Sequence, residues 1–188
     1  MNPGEPTLRV AMLDDQAAVG SLMKESAAVL FARFYDERQA ASATRYVAEI
    51  DPMLLEDGTY FVLESGEHIV ACGGWSRRDK LYTGSGDGDD DARTLDPASE
   101  PARVRAMFVR ADWTRRGLGR RILEECELAA QREGFRQLAL VATMPGVPLY
   151  LAYGFRPLED VDVAMPDGVS IPCVAMEKEI DIGAGAST

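Results

Sequence analysis

The chain has 188 residues, 46% of them hydrophobic and 27% charged, with 20 basic and 31 acidic side chains and a formal net charge of −11. That length and composition fit a single globular domain, 1–188, with one core, and exclude a disordered or fibrous chain. The acidic balance excludes a general nucleic-acid binder, whose phosphate contacts need clustered basic surface. No apolar run approaches the ~18 residues that span a bilayer, and the first ten residues carry neither a basic nor an apolar targeting segment. No membrane association and a cytoplasmic location are therefore expected. Cys72, Cys126 and Cys173 are widely spaced and form no ligand pair, which fits reduced thiols. With His68 the only histidine, no metal site and no Ser/His/Asp triad are expected.

In chain order, residues 7–13 alternate as a short strand and run into Asp14 and Asp15, residue types that open helices. Residues from about 15 to 50 are alanine-rich with apolar positions near helical spacing and predict two helices. Residues 59–64 and 67–75, joined across Ser65 and Gly66, predict a β-hairpin. Residues 77–102 are polar, acidic and rich in glycine, which predicts a long mobile loop. A strand over 103–109, an amphipathic helix over 116–133 and a buried strand over 137–143 follow. A short helix is expected over 148–153, with Pro148 in its first turn. Strands over 160–165 and 170–180 flank the turn Pro166-Asp167-Gly168, and residues 181–188 read as a flexible tail. This order indicates an α/β domain around a mixed sheet.

The segment 103–121 concentrates the chemistry. It holds seven arginines and one acid, Asp112, a local charge of +6 within an acidic protein. A strand ends there, a loop carries Gly117 and Gly119, and a helix begins. Unpaired N–H groups at a helix N-terminus and glycines that admit close approach suit a phosphate. Arginines in a first turn oppose the helix dipole at about 0.3–1 kcal/mol each, and Arg116, Arg120 and Arg121 stand there nonetheless. The plainer alternative pairs Arg120 and Arg121 with Glu124 and Glu125, for about 0.2–0.5 kcal/mol per pair. A dinucleotide-binding fingerprint does not fit, because Gly117-Leu118-Gly119 is followed by no third glycine.

These residues resemble the GNAT N-acetyltransferase superfamily. The family's loop, [Gln/Arg]-x-x-Gly-x-[Gly/Ala] between a strand and a helix, is matched in register by Thr114-Arg115-Arg116-Gly117-Leu118-Gly119. Its second hallmark, an aromatic pair ending in Gly-Phe after the next strand, is matched by Leu149-Tyr150-Leu151-Ala152-Tyr153-Gly154-Phe155. Thr114, Ala111 and Thr143 stand where the family more often has Gln or Arg, proline and asparagine. The resemblance covers residues 7–180 and implies a mixed, mostly antiparallel sheet of six to seven strands flanked by helices, with one splayed strand pair that receives the cofactor.

The resemblance further implies an acetyl-CoA-dependent N-acetyltransferase. The backbone of Met107, Phe108 and Val109 would bond the pantetheine arm and offer an N–H to the oxyanion. Arg115, Arg116, Gly117, Leu118, Gly119 and Arg120 would cradle the pyrophosphate, and Thr143 would face the arm. Tyr150 would be the general acid toward the leaving thiolate, aided by hydrogen bonding or by a phenol pKa lowered by a helix N-terminus or arginine. The acetyl group would pass directly to a small-molecule or peptide amine, and the charge of −11 favours cationic acceptors. A homodimer is compatible with this reading. The rival from another class is a non-catalytic acyl-CoA-binding or regulatory domain, which would not need Tyr150.

Other residues carry weaker signals. Glu49, Asp51 and Glu64 are carboxylates without a definite placement, and His68 beside the hairpin turn reads as solvent-exposed. Asp87, Asp89 and Asp91 begin a calcium-loop spacing, but Ala92 and Ala98 break it. Gly73-Gly74-Trp75 reads as a bulge that leaves the tryptophan either near the acceptor or in the core. Phe31, Phe34, Tyr35 and Tyr46 would lie on helices bordering the acceptor site, most of them as core residues.

Overall fold

Asp36 opens a helix because its carboxylate accepts the Gln39 N–H at 2.8 Å while the Gln39 side chain returns to the Asp36 N–H. Asp51 caps a shorter helix by accepting the Met53 N–H at 3.1 Å, with Pro52 in the first position. Asp15 turns the chain out of its first strand by accepting the Met12 N–H at 2.7 Å, so that strand stops at Val10 rather than continuing to Leu13.

A computed structural model describes residues 4–81 and 93–181. Its elements are β1 (Thr7–Val10), α1 (Gln16–Phe31), α2 (Glu37–Tyr46), α3 (Pro52–Glu56), β2 (Tyr60–Ser65), β3 (His68–Ser76), β4 (Ala102–Val109), α4 (Leu118–Arg132), β5 (Gln137–Thr143), α5 (Val147–Tyr153), β6 (Arg156–Ala164) and β7 (Ser170–Glu179). The five-residue α3 is too short to show a period in sequence. β6 begins at Arg156, earlier than expected, because it is an edge strand whose exposed polar residues hide its alternation.

The seven strands form one sheet in the order β1-β2-β3-β4-β5-β7-β6, antiparallel throughout except for β4 with β5. Alternation along β2 shows how the layers form. Tyr60 and Val62 point into a core with Val19, Met23 and Phe31 of α1, while Phe61 and Leu63 point into one with Ile122, Leu123 and Cys126 of α4. The sheet is thus covered on both faces, as the sequence predicted. Cys72, Cys126 and Cys173 are all buried and unpaired.

The segment expected as a mobile loop over 77–102 is anchored wherever it is described. Arg78 clamps Asp57 through two bonds of 2.7 and 2.8 Å, Arg93 pairs with Asp79 and Glu100, and Arg103 bonds Asp79 at 2.8 Å. Arg78 and Thr94 form a bridge, and Leu95 is only 2% exposed. Charge pairing and one buried leucine order residues that composition alone marked as solvated. Residues 82–92, with Asp87, Asp89 and Asp91, and the tail residues 182–188 lie outside the described residues.

Leu95→Ala is expected to lower the unfolding free energy by about 2–5 kcal/mol in urea titrations. An unchanged midpoint would mean that the 93–101 segment is not fixed to the core.

Candidate active site

The site begins with a break in register. β3 and β4 pair Ala71 with Val109 and Cys72 with Phe108, but then Gly74 with Arg105. Ala106 and Met107 therefore share the place opposite Gly73, a β-bulge. Ala106 takes φ +52°, the left-handed region that costs a non-glycine residue about 1–3 kcal/mol. Fully buried Tyr60 holds it there by donating its hydroxyl to the Ala106 carbonyl at 2.6 Å. The facing strand has no room for side chains. A Cβ on Gly73 would lie 2.1 Å from the Met107 sulfur, and one on Gly74 would lie 2.6 Å from both the Thr59 carbonyl and the Tyr60 ring. The bulge read from Gly73-Gly74 is present. Trp75 belongs to the core beneath α4, edge-on to Phe135 at 5.8 Å.

A bulge bends its strand and increases local twist. β4 meets β5 only through Ala102 with Leu138 and Arg103 with Ala139, and the strands then part. The resulting cleft has β4 residues 104–108 on one wall and Leu140, Val141 and Thr143 of β5 on the other, with Tyr150, Val47 and Leu81 closing it. The Arg110 N–H bonds the Val70 carbonyl at 2.9 Å. By the alternation of an antiparallel ladder, Phe108 directs its backbone groups to β3, and Met107 and Val109 direct theirs toward the gap. The Val109 carbonyl is taken by Ser26 Oγ of α1 at 2.8 Å.

Just beyond β4, Arg115 and Gly117 adopt φ +61° and +77°, and α4 starts with no side chain capping its first N–H groups. Gly117 faces open space, whereas a Cβ on Gly119 would lie 2.8 Å from Leu149 Cδ2, so Gly119 serves the packing of α4 on α5. The arginines of 103–121 divide into two sets. Arg103, Arg105 and Arg110 pair with Asp79, Asp51 and Asp112. Arg116 stacks on Trp113 at 4.5 Å, Arg120 lies over Tyr153 at 5.4 Å and bonds Glu124 at 3.0 Å, and Arg121 reaches the Pro6 carbonyl at 3.0 Å. Arg115 has no such partner among the described residues. The Arg120–Glu124 pair of the plainer alternative is therefore present, but Arg121 does not pair with Glu125.

A model of the acetyltransferase (GNAT) domain matches residues 56–157, which contain the bulge, the parted strands and the helix opening. The chain belongs to the GNAT acetyltransferase family. It is accordingly an acyltransferase. No curated protein matches it in sequence. Among solved structures, a GCN5-related N-acetyltransferase from Rhodopseudomonas palustris is similar over 95% of this chain and 98% of that chain, at 17% identity and a TM-score of 0.70. PaiA N-acetyltransferase from Thermoplasma acidophilum, in complex with coenzyme A, is similar over 93% and 98%, at 16% identity and a TM-score of 0.64. The yncA structure from Salmonella typhimurium, with its cofactor acetyl-CoA, is similar over 98% and 99%, at 16% identity and a TM-score of 0.61. Such identities show a shared fold.

In this GNAT domain Tyr150 sits on α5, 8% exposed, edge-on to Phe155 at 5.6 Å. Its hydroxyl makes no hydrogen bond among the described residues, and the residue lines the cleft. Burial pushes the phenol well above its ordinary value, opposite to the lowering that a helix N-terminus or arginine would give. Tyr153 is committed elsewhere, donating to Glu127 at 2.6 Å.

At the other end of the cleft, Arg105 is buried and bonds Asp51 through both terminal nitrogens at 3.3 Å, and Lys80 approaches the same carboxylate at 3.3 Å. Burial pushes the Asp51 carboxyl up, but Arg105, the Met53 N–H and Lys80 outweigh it and hold the group below its ordinary value. Nothing local in the sequence marked this pair. Glu64 is occupied by Arg9, and His68 is exposed at the start of β3. Of the four aromatics, Phe31 and Tyr35 are buried, Tyr46 is half-buried beneath Arg45, and Phe34 is exposed.

Gly74→Ala is expected to destabilise the GNAT domain by about 1–3 kcal/mol in urea, because its Cβ meets backbone rather than a movable side chain. Asp51→Asn leaves buried Arg105 without this carboxylate and should cost about 3–5 kcal/mol. The folded pKa of Asp51 lies below the unfolded value of about 3.9, so its contribution is complete above that pH and lost as pH falls through the folded value. Stability measured against pH should therefore fall less steeply below about pH 4 in the variant than in the parent.

Proposed function

We propose that this GNAT domain transfers the acetyl group of acetyl-CoA to a primary amine, by direct attack while both substrates are bound. The observation that carries the proposal is the parted β4–β5 edge with the unpartnered Tyr150 phenol beside it. The surroundings fit the donor: β4 and β5 are paired only at Ala102 and Arg103, so the backbone beyond them faces the gap, and the uncapped start of α4 at Gly117 lies beside exposed arginines. When bound, acetyl-CoA supplies an acyl group already activated as a thioester.

The Met107 backbone and the Val109 N–H bond the pantetheine arm, while Phe108, whose backbone pairs with β3, only lines the wall; an N–H of Met107 or Val109 meets the negative charge that develops on the acyl oxygen. The N–H groups of Leu118, Gly119 and Arg120, with the Arg115 and Arg116 side chains, hold the pyrophosphate. Thr143 borders the arm from β5. Tyr150 stays protonated across the physiological range and donates a hydrogen bond to the departing sulfur as its charge grows. Its raised pKa makes full proton transfer to a thiolate, ordinarily near 8.5, more uphill than in water.

A lysine-type amine is neutral in about one part in 10³ at pH 7. The aliphatic stretch of Val47, Leu81 and Val104 favours that neutral form by desolvation. The overall charge of −11 steers cationic amines, small or peptide-borne, toward the molecule. A domain that only bound acyl-CoA would have no use for an unbonded phenol in the cleft.

Tyr150→Phe is expected to lower kcat by ~10²-fold with CoA affinity within about threefold by calorimetry, the pattern of an interaction made in the transition state. Gly117→Val, strained at positive φ, should weaken CoA binding at least ~10-fold. Absence of CoA binding at millimolar concentration would refute the donor, and absence of thiol release across a panel of primary amines would refute the acceptor class.

A further inference from the structure

The hydroxyl of Tyr35 joins three separate parts of the chain. Tyr35 lies in the turn after α1, 8% exposed, with its ring edge-on to Phe31 at 5.8 Å. The oxygen accepts the Met144 N–H at 2.9 Å and donates its proton to the Pro172 carbonyl on β7 at 2.8 Å. The donor is thus committed, so this phenol is no acid for the reaction.

Met144 is the first residue of the 3-10 turn Met144–Gly146, by which the chain leaves β5 and enters α5. No side chain caps this turn or the start of α5. α5 has seven residues, too few to be stable by itself. The turn also touches the phenol it leads to, since a Cβ on Gly146 would lie 2.9 Å from Tyr150 Cε2. A shift of the turn therefore moves both Thr143 on the cleft wall and the ring of Tyr150.

We propose that Tyr35 is a positioning residue for acyl transfer: its hydroxyl clamps the Met144 N–H to the β7 backbone at Pro172 and so fixes the height of the Tyr150 phenol in the cleft. This rests on the assignment of Tyr150 as hydrogen-bond donor to the leaving sulfur.

The test is a double-mutant cycle in the full chain with Tyr35→Phe and Tyr150→Phe, following thiol release and CoA binding. Tyr35→Phe keeps the ring packing and removes the clamp. It is expected to lower kcat by about 10-fold with CoA affinity within about threefold, and to cost less than about twofold more when Tyr150 is already phenylalanine. Met144→Pro is the second variant, and it carries the test if Tyr35→Phe does not fold. It removes the same N–H at a first helical position, and Thr143, at φ −67° and ψ 153°, already has the conformation a following proline needs. The same non-additive loss is expected. An equal loss in both backgrounds, or full kcat in a folded variant, would overturn the positioning role while leaving Tyr150 in place. Full activity of Tyr150→Phe alone would instead remove the catalytic assignment, and the clamp's purpose with it.

Discussion

The bond from the Tyr60 hydroxyl to the Ala106 carbonyl keeps β4 in a form that a strand does not take unaided. Ala106 is the residue at positive φ, and the strain is local, but its geometric effect is not. One extra residue in β4 reverses which faces its later side chains meet and tilts the strand away from β5. The two glycines of β3 are the complement of that shape, leaving space for the Met107 sulfur and the Tyr60 ring. Beyond Ala102 and Arg103, the bulged strand no longer pairs with β5, and that is where the cleft opens.

The opening also runs from one face of the sheet to the other. Met107 and Tyr150 pack with the core under α4, while Ala106 and Val47 pack with the core under α1 and α2. The cleft lining therefore draws on both layers, with Phe108 beside Ala106 on the α1 side and Val104 beside Met107 on the α4 side.

Sequence patterns carried much of this but not its joints. β5 shows as seven residues of buried-strand character, and α4 as a face of Leu118, Ile122 and Cys126, because both signals are local and periodic. The two motifs around Gly117 and Tyr150 were readable as well, since their spacing is fixed by one helix and one strand. Tyr60 meets Ala106 across 46 positions and Arg105 meets Asp51 across 54, and no period along the chain connects such pairs. Their partnership depends on register, which the bulge shifts. Gly119 illustrates a different limit: the sequence showed a glycine at a helix opening, but only the packing showed that Leu149 occupies its side-chain space. In the described parts of the 77–102 segment, ion pairs such as Arg78–Asp57 order residues that look solvated one by one, which composition cannot show.

The three buried cysteines acquire a further meaning in a domain proposed to hold a thioester. Thiolates exchange with thioesters, and an accessible one would become a site of self-acylation that diverts the donor. Burial pushes the Cys72 thiol up to about 12 and that of Cys173 to about 11, and raises Cys126 likewise. At pH 7 a thiol near 12 is ionised in about one molecule in 10⁵. Packing that serves the core thus also insulates the protein's own sulfur from the thioester chemistry proposed for the cleft.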